Sequence, residues 1–137
     1  MRNPFDRLVS TYKDKVLKCN NTEWELPYYK KFHGKNFKYF VDYIYANYDI
    51  KNMERHLRTQ ISLLNNLSDI DFIGKYENFD SDVRFVMEKL SLVKKTIPHL
   101  NSSSPYSLIY KSYYDNTTIR KVEQIYWEDL QFFEYKF

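Results

Sequence analysis

The chain has 137 residues, 43% of them hydrophobic and 28% charged, with only two glycines and four prolines. That is enough for one domain with a real core and too few breakers for disorder or long linkers, so helices are expected to dominate. A net charge of +3 suits an anionic ligand without demanding nucleic acid, and the single cysteine, Cys19, excludes an internal disulfide and a thiolate-rich zinc site.

In chain order, Asn3 is a good helix N-cap and Pro4 stands at the first helical position. Asp6 favours the positive end of the helix dipole, and Phe5, Leu8, Val9, Tyr12 and Val16 make one apolar face. This pattern predicts a helix from Pro4 to about Lys18. A helix N-terminus offers unpaired N–H groups to a phosphate, and Arg2 can add a bidentate charged contact. Ser10, two turns in, reaches such a phosphate only if the ligand runs alongside the helix. Residue chemistry alone favours the plainer reading, with Arg2 a solvated terminal charge and Ser10 a neutral surface residue.

Asn20–Asn21–Thr22 breaks the helix. From Tyr28 to Phe40 lysines interleave with aromatic residues, a pattern that fits a surface for a polyanion. It fits equally the buried stripe Phe37, Phe40, Val41, Ile44 and Tyr45 of a second helix, about Asn36 to Tyr48. The helix is the better reading for the stripe. Lys30, Lys31 and Lys35, in the preceding loop, are candidates for acceptor contact. After a break at residues 49–52, Arg55, His56, Arg58 and Gln60 concentrate donors and one titratable ring within six residues.

Asp69 to Glu77 reads as a strand, short, apolar and bounded by turn formers. Asp80 or Ser81 is expected to cap the next helix, whose face is Val83, Val86, Met87 and Leu90. A strand followed by a helix is half of a βαβ unit, and ligands of open α/β sheets bind at the carboxyl ends of strands. Lys75 and Glu77 are site candidates on that ground. The hydroxyl-rich stretch from Lys94 to Pro105 reads as a loop, Tyr106 to Tyr114 as a short helix, and Thr118 to about Phe133 as a final helix started by Asp115-Asn116-Thr117.

The segment Arg2-Asn3-Pro4-Phe5-Asp6-Arg7-Leu8-Val9-Ser10-Thr11-Tyr12-Lys13-Asp14-Lys15 resembles the Arg-x-Pro-[Phe/Tyr]-x-Arg-Leu-x-Ser-x-[Tyr/Phe]-x-Asp-Lys segment of carbohydrate sulfotransferases of the family 2 type. Further along, Glu54, His56 and Gln60 match the family's acidic-x-His-x-x-x-Gln pattern, although Thr59 stands where a proline often precedes the glutamine. The phrase Asp71-Phe72-Ile73-Gly74-Lys75-Tyr76-Glu77, the order Pro98-His99…Asn101…Ser103 and the closing Tyr-rich helix are also similar to the family. The resemblance spans nearly the whole chain but only the second half of such an enzyme.

That resemblance implies an α/β, P-loop-like sulfotransferase fold, here a single helix-rich domain with an incomplete parallel sheet and a truncated N-terminus. It implies the sulfate donor PAPS (3′-phosphoadenylyl sulfate), with Arg2 and Ser10 on its 3′-phosphate, and a carbohydrate hydroxyl as acceptor. His56 is the first choice for a residue near that hydroxyl, Glu77 a second, and His99 and Asn101 rank below Arg2 and Ser10. The loop that cradles the 5′-phosphosulfate is expected in a missing upstream part or a separate N-terminal piece. The chain alone is therefore expected to be weakly active or inactive.

The competing expectation is a non-enzymatic module that binds glycan or RNA through residues 28–39; a decayed gene product is a third. No metal and no sequence-specific nucleic acid are expected. With no apolar run long enough for a membrane span and no signal-peptide core, the sequence as written is expected to be cytoplasmic, a membrane-anchored parent being left open.

Overall fold

The structure, a computed structural model, describes residues 1–18, 27–49, 52–92 and 109–137. Helix α1 spans Pro4–Tyr12, α2 Phe37–Ala46, α3 Phe79–Lys89, α4 Asn116–Ile125 and α5 Trp127–Phe132, with short 3-10 turns between them. The expected α/β architecture is not what forms. Among the described residues there is no strand and no sheet.

The expected strand at Asp69–Glu77 shows why. Its backbone is extended at Ile70 (φ −109°, ψ 107°) and at Lys75 (φ −101°, ψ 134°), between 3-10 turns at Leu67–Asp69 and Tyr76–Asn78. Extension alone does not make a strand, because the ladder needs a neighbour. The neighbour here is a single residue. The Met1 amino group donates to the Gly74 carbonyl, and the Tyr76 N–H donates to the Met1 carbonyl at 2.5 Å. Those two bonds are one rung of a parallel ladder. Among the described residues no further rung continues it.

The first helix begins as the sequence predicts. The Asn3 side chain accepts from the Phe5 N–H at 3.0 Å, and Pro4 occupies the first turn. Its far end departs from the expectation. Lys13–Leu17 widens into a π-turn, closed by Lys18 N–H to the Lys13 carbonyl at 3.1 Å. The final helix is two pieces rather than one. Asp115 and Thr118 form a reciprocal capping box, so α4 opens at Asn116, and Tyr126 (φ −110°, ψ 24°) separates α4 from α5.

The core is built from the apolar faces of α1, α2 and the α4–α5 pair. Leu8 and Val9 meet Phe40, Val41, Ile44, Val122 and Tyr126 in one buried cluster. Rings pack edge to face, as between Phe32 and Phe40 (4.8 Å, 87°) and between Phe5 and Phe137 (4.9 Å, 72°). Buried phenols find backbone acceptors: Tyr12 on Lys35, Tyr114 on Phe5 and Tyr126 on Leu57, at 2.7 to 2.9 Å. This is where much of the aromatic content goes.

Helix α3 is different, since none of its residues is buried. Val83, Val86 and Met87 instead face a groove of about 770 Å³ shared with Met1, Phe72 and Tyr76. The side chain of Asp82 ties the helix back by accepting from the Lys75 N–H at 2.7 Å.

Phe40→Ala should therefore cost about 3–5 kcal/mol, a loss typical of a fully buried ring. Val86→Ala should stay within about 0.5 kcal/mol, as exposed substitutions do. Urea unfolding followed by circular dichroism checks both, and comparable losses would contradict this placement of the core.

Candidate functional site

The three residues ahead of α1 are each fixed from outside the helix. Met1 is held by the rung on Gly74 and Tyr76. Arg2 is clasped by Gln60: its N–H donates to Oε1 at 2.9 Å and its carbonyl accepts from Nε2 at 2.8 Å. The Asn3 N–H donates to Glu77 Oε1 at 2.7 Å, and its side chain donates to the Lys136 carbonyl at 2.8 Å. Burial lowers the pKa of the Met1 amino group, with Glu77 and Asp82 opposing that shift.

The contacts that aim the Arg2 guanidinium include Asp6 and Tyr76. Nε donates to Asp6 Oδ2 at 2.6 Å, one helical turn on, and the guanidinium carbon lies 4.7 Å from the centre of the Tyr76 ring. Ser10 is half-buried on α1, and its hydroxyl has no partner among the described residues. Six helical residues, Pro4 to Val9, stand between it and the Arg2-Asn3 start, about 9 Å of rise along the axis.

A loop from Met53 to Gln60 is clipped onto the same helix. Arg7 donates to the carbonyls of Arg58 (2.7 Å) and Arg55 (3.3 Å), and Arg58 Nε donates back to the Met53 carbonyl at 2.8 Å. Inside the loop Glu54 caps a single 3-10 turn by accepting from the His56 N–H at 2.8 Å. The same carboxylate lies 2.8 Å from His56 Nδ1 and accepts from the Tyr29 hydroxyl at 2.6 Å. A carboxylate on Nδ1 selects the tautomer with the proton there, leaving Nε2 as the acceptor. Burial alone would raise the Glu54 pKa, but the bonds from Tyr29 and His56 outweigh it and hold the carboxyl below its ordinary value. One turn beyond Ser10, the bond from Lys15, with Lys18 nearby, holds the Asp14 carboxyl below its ordinary value.

Glu77 sits elsewhere, with both oxygens occupied: Oε1 takes the Asn3 N–H and Oε2 the Tyr135 hydroxyl at 2.9 Å. Lys75 stacks 5.1 Å from the Tyr135 ring. Lys35 lies at the other end of α1, where Tyr12 donates to its carbonyl, eight residues or about 12 Å of rise from Pro4. Lys31 is held among aromatic rings, 3.7 Å from the Tyr28 centroid and 4.3 Å from that of Tyr43. Lys35 leans toward Tyr39 at 5.3 Å, and Lys30 is exposed. His99 and Asn101 lie outside the described residues.

The structure thus places Arg2 just ahead of α1, Ser10 on it and His56 on the loop clipped to it, and Tyr28 and Tyr29 of the lysine segment touch that same loop at Met53 and Glu54. Two residues escaped the sequence reading. Tyr29, which holds Glu54, gave no signal beyond its aromatic neighbours. Asp129 did give one, since Val122, Tyr126, Asp129 and Phe133 follow the core spacing of the final helices. A carboxylate on that face needs partners, and it takes the N–H groups of Gln60 (2.7 Å) and Ile61 (2.9 Å).

The family model described as "Sulfotransferase family" matches residues 1–136. The chain belongs to the sulfotransferase family. It is also similar to an uncharacterised protein of Archaeoglobus fulgidus, 31% identical over 106 residues that cover 75% of this chain and 73% of that relative. No solved structure matches the chain. Among the described residues of this sulfotransferase-family chain, no helix is long and apolar enough to cross a membrane, and no cluster of His, Cys, Asp and Glu is placed to hold a metal.

Tyr29→Phe should cost this sulfotransferase-family chain about 1.5–3 kcal/mol at pH 7, a hydrogen bond to a charged group being lost. Because the folded-state pKa of Glu54 is depressed, its stabilisation is present above the ordinary glutamate value and lost as pH falls through the folded value. The difference in urea midpoint between wild type and Tyr29→Phe should narrow below about pH 4. A gap that stays constant down to pH 3 would contradict this account.

Proposed function

We propose that the chain carries the 3′-phosphate wall and the acceptor base of a sulfotransferase that moves sulfate from PAPS to a carbohydrate hydroxyl. One observation carries the reading. A carboxylate-held imidazole, Glu54–His56, stands on a loop that Arg7 clips to the helix bearing Ser10.

The residues fit the donor's phosphate. Arg2 supplies a guanidinium just ahead of a helix N-terminus, where the dipole adds only about 0.3–1 kcal/mol, so the side-chain charge is the larger contribution. Ser10 supplies a half-buried, unpartnered hydroxyl to a group lying along the helix. His56 Nε2 takes the proton of the acceptor hydroxyl as its oxygen bonds to sulfur. The bond between sulfur and the bridging phosphate oxygen breaks, and adenosine 3′,5′-bisphosphate leaves with that oxygen. Glu54 holds the imidazolium that forms. Glu77, engaged by Asn3 and Tyr135, anchors the helix start rather than acting as a base. Lys30 and Lys35 present charge to an anionic glycan, while Lys31 is already held by Tyr28 and Tyr43.

None of the described residues is assigned to the 5′-phosphosulfate side of the donor, which a separate piece supplies. The groove of about 770 Å³ along α3 is a surface such a piece could cover.

Two measurements test the proposal. Titrated with adenosine 3′,5′-bisphosphate, the chain should bind, and Arg2→Ala should weaken binding about tenfold or more, as expected for losing a charged hydrogen bond. Incubated alone with PAPS and a glycan, the chain should transfer little or no sulfate. Robust turnover by the isolated chain would overturn the division of the site. Sulfated-glycan binding that survives Arg2→Ala and Ser10→Ala but fails when Lys30 and Lys35 are neutralised, with no nucleotide binding, would favour the non-enzymatic module.

A further inference from the structure

Asp129 has no solvent exposure, and no cation contacts it among the described residues. A buried carboxylate without a counter-ion persists only if its oxygens are filled by donors. Here Oδ2 accepts from the Gln60 N–H at 2.7 Å and Oδ1 from the Ile61 N–H at 2.9 Å, with Gln60 Nε2 a longer neighbour at 3.5 Å. Two consecutive amides pointing at one carboxylate fix the peptide at residues 60–61. Asparagine could not replace it, because its NH2 would face one of the two N–H groups.

Fixing that peptide aims the Gln60 side chain, itself only 6% exposed. A carboxamide carries one acceptor and one donor side by side. Both are spent on the same residue, Oε1 on the Arg2 N–H and Nε2 on the Arg2 carbonyl. The side chain imitates a peptide group closing a ladder rung. A hydrophobic residue of equal size would fill the space without making either bond. Four residues earlier on the same loop stands His56.

We propose that Asp129 and Gln60 are positioning residues for Arg2: the buried carboxylate sets the Gln60 carboxamide, which clasps the Arg2 backbone and fixes the guanidinium relative to His56. The part of this inference that concerns the donor rests on the reading of Arg2 as a 3′-phosphate ligand; the clasp itself does not.

The variant that tests it is Gln60→Glu in the full chain. A protonated glutamic acid offers one donor and one acceptor, as the carboxamide does, whereas the ionised form offers acceptors only. Asp129 beside it raises its pKa, so protonation is reached at mild acidity. The readout is the NMR resonance of the Arg2 Nε–H, which Asp6 holds in the free protein, recorded at pH 7 and pH 5. Wild type should show the resonance at both. Gln60→Glu should lose it at pH 7 and regain it at pH 5, a rescue that a space-filling role would not produce.

At pH 7 the variant should bind adenosine 3′,5′-bisphosphate about tenfold more weakly, and adding Arg2→Ala should weaken it little further, because the two substitutions remove one unit. An Arg2 resonance indifferent to pH in Gln60→Glu overturns the clasp. A resonance that behaves as expected in a chain whose wild type binds no nucleotide upholds the clasp and removes the donor reading of Arg2. Should Gln60→Glu be unfolded at pH 7, its refolding at pH 5 with the Arg2 resonance restored upholds the clasp, and failure to refold overturns it.

Discussion

The buried carboxylate of Asp129 is the contact on which the start of α1 depends. Leu57 and Thr59 are buried and the Tyr126 hydroxyl holds the Leu57 carbonyl, but the N–H groups of Gln60 and Ile61 find their acceptor in Asp129. With it, the loop joins α5 on one side and the residue ahead of α1 on the other. Arg7 adds a second attachment from within α1, by taking two carbonyls of the same loop. The helix start and the loop holding His56 therefore behave as one body. A charge in a core is ordinarily costly, and its retention is best explained by what it holds in place.

Much of this was legible in the chain, because helix starts obey local chemistry. Asn3-Pro4 and Asp115-Asn116-Thr117 announced helix starts, and the α1 stripe at three- and four-residue spacing turned out to be its buried face. Lysines interleaved with rings were legible as a cluster, but not as one that folds upon itself around Lys31. The strand was misread for a physical reason. Asp69–Glu77 has strand composition, yet a strand is a relation between two segments, and a single rung to Met1 does not supply it. The break at Tyr126 and the widened turn at Lys13–Leu17 were invisible for a similar reason.

Within the site, the family resemblance pointed to His56 and Gln60 but not to what makes them different. Three residues of the loop, Glu54, His56 and Gln60, each use their side chains on a partner chosen by the fold. Glu54 is committed to Tyr29 and His56, and Gln60 to Arg2. Glu77 carries the same functional group as Glu54 and was the second choice, after His56, for a residue near the acceptor hydroxyl. Its two oxygens are committed to Asn3 and Tyr135, far in sequence from each other, and no local pattern announces that.

The two ends of the described chain meet at the same place. Asn3 donates to the Lys136 carbonyl, and the Phe137 ring packs on Phe5, Tyr110 and Tyr114. Terminal residues usually fray with little effect on anything else. Here fraying at residues 136–137 removes the acceptor of the Asn3 side-chain NH2, on the residue that caps the first helix, next to Arg2. Trimming or tagging residues 136–137 is thus a perturbation at residue 3, so a label at either end reports on, and disturbs, one shared corner of the fold.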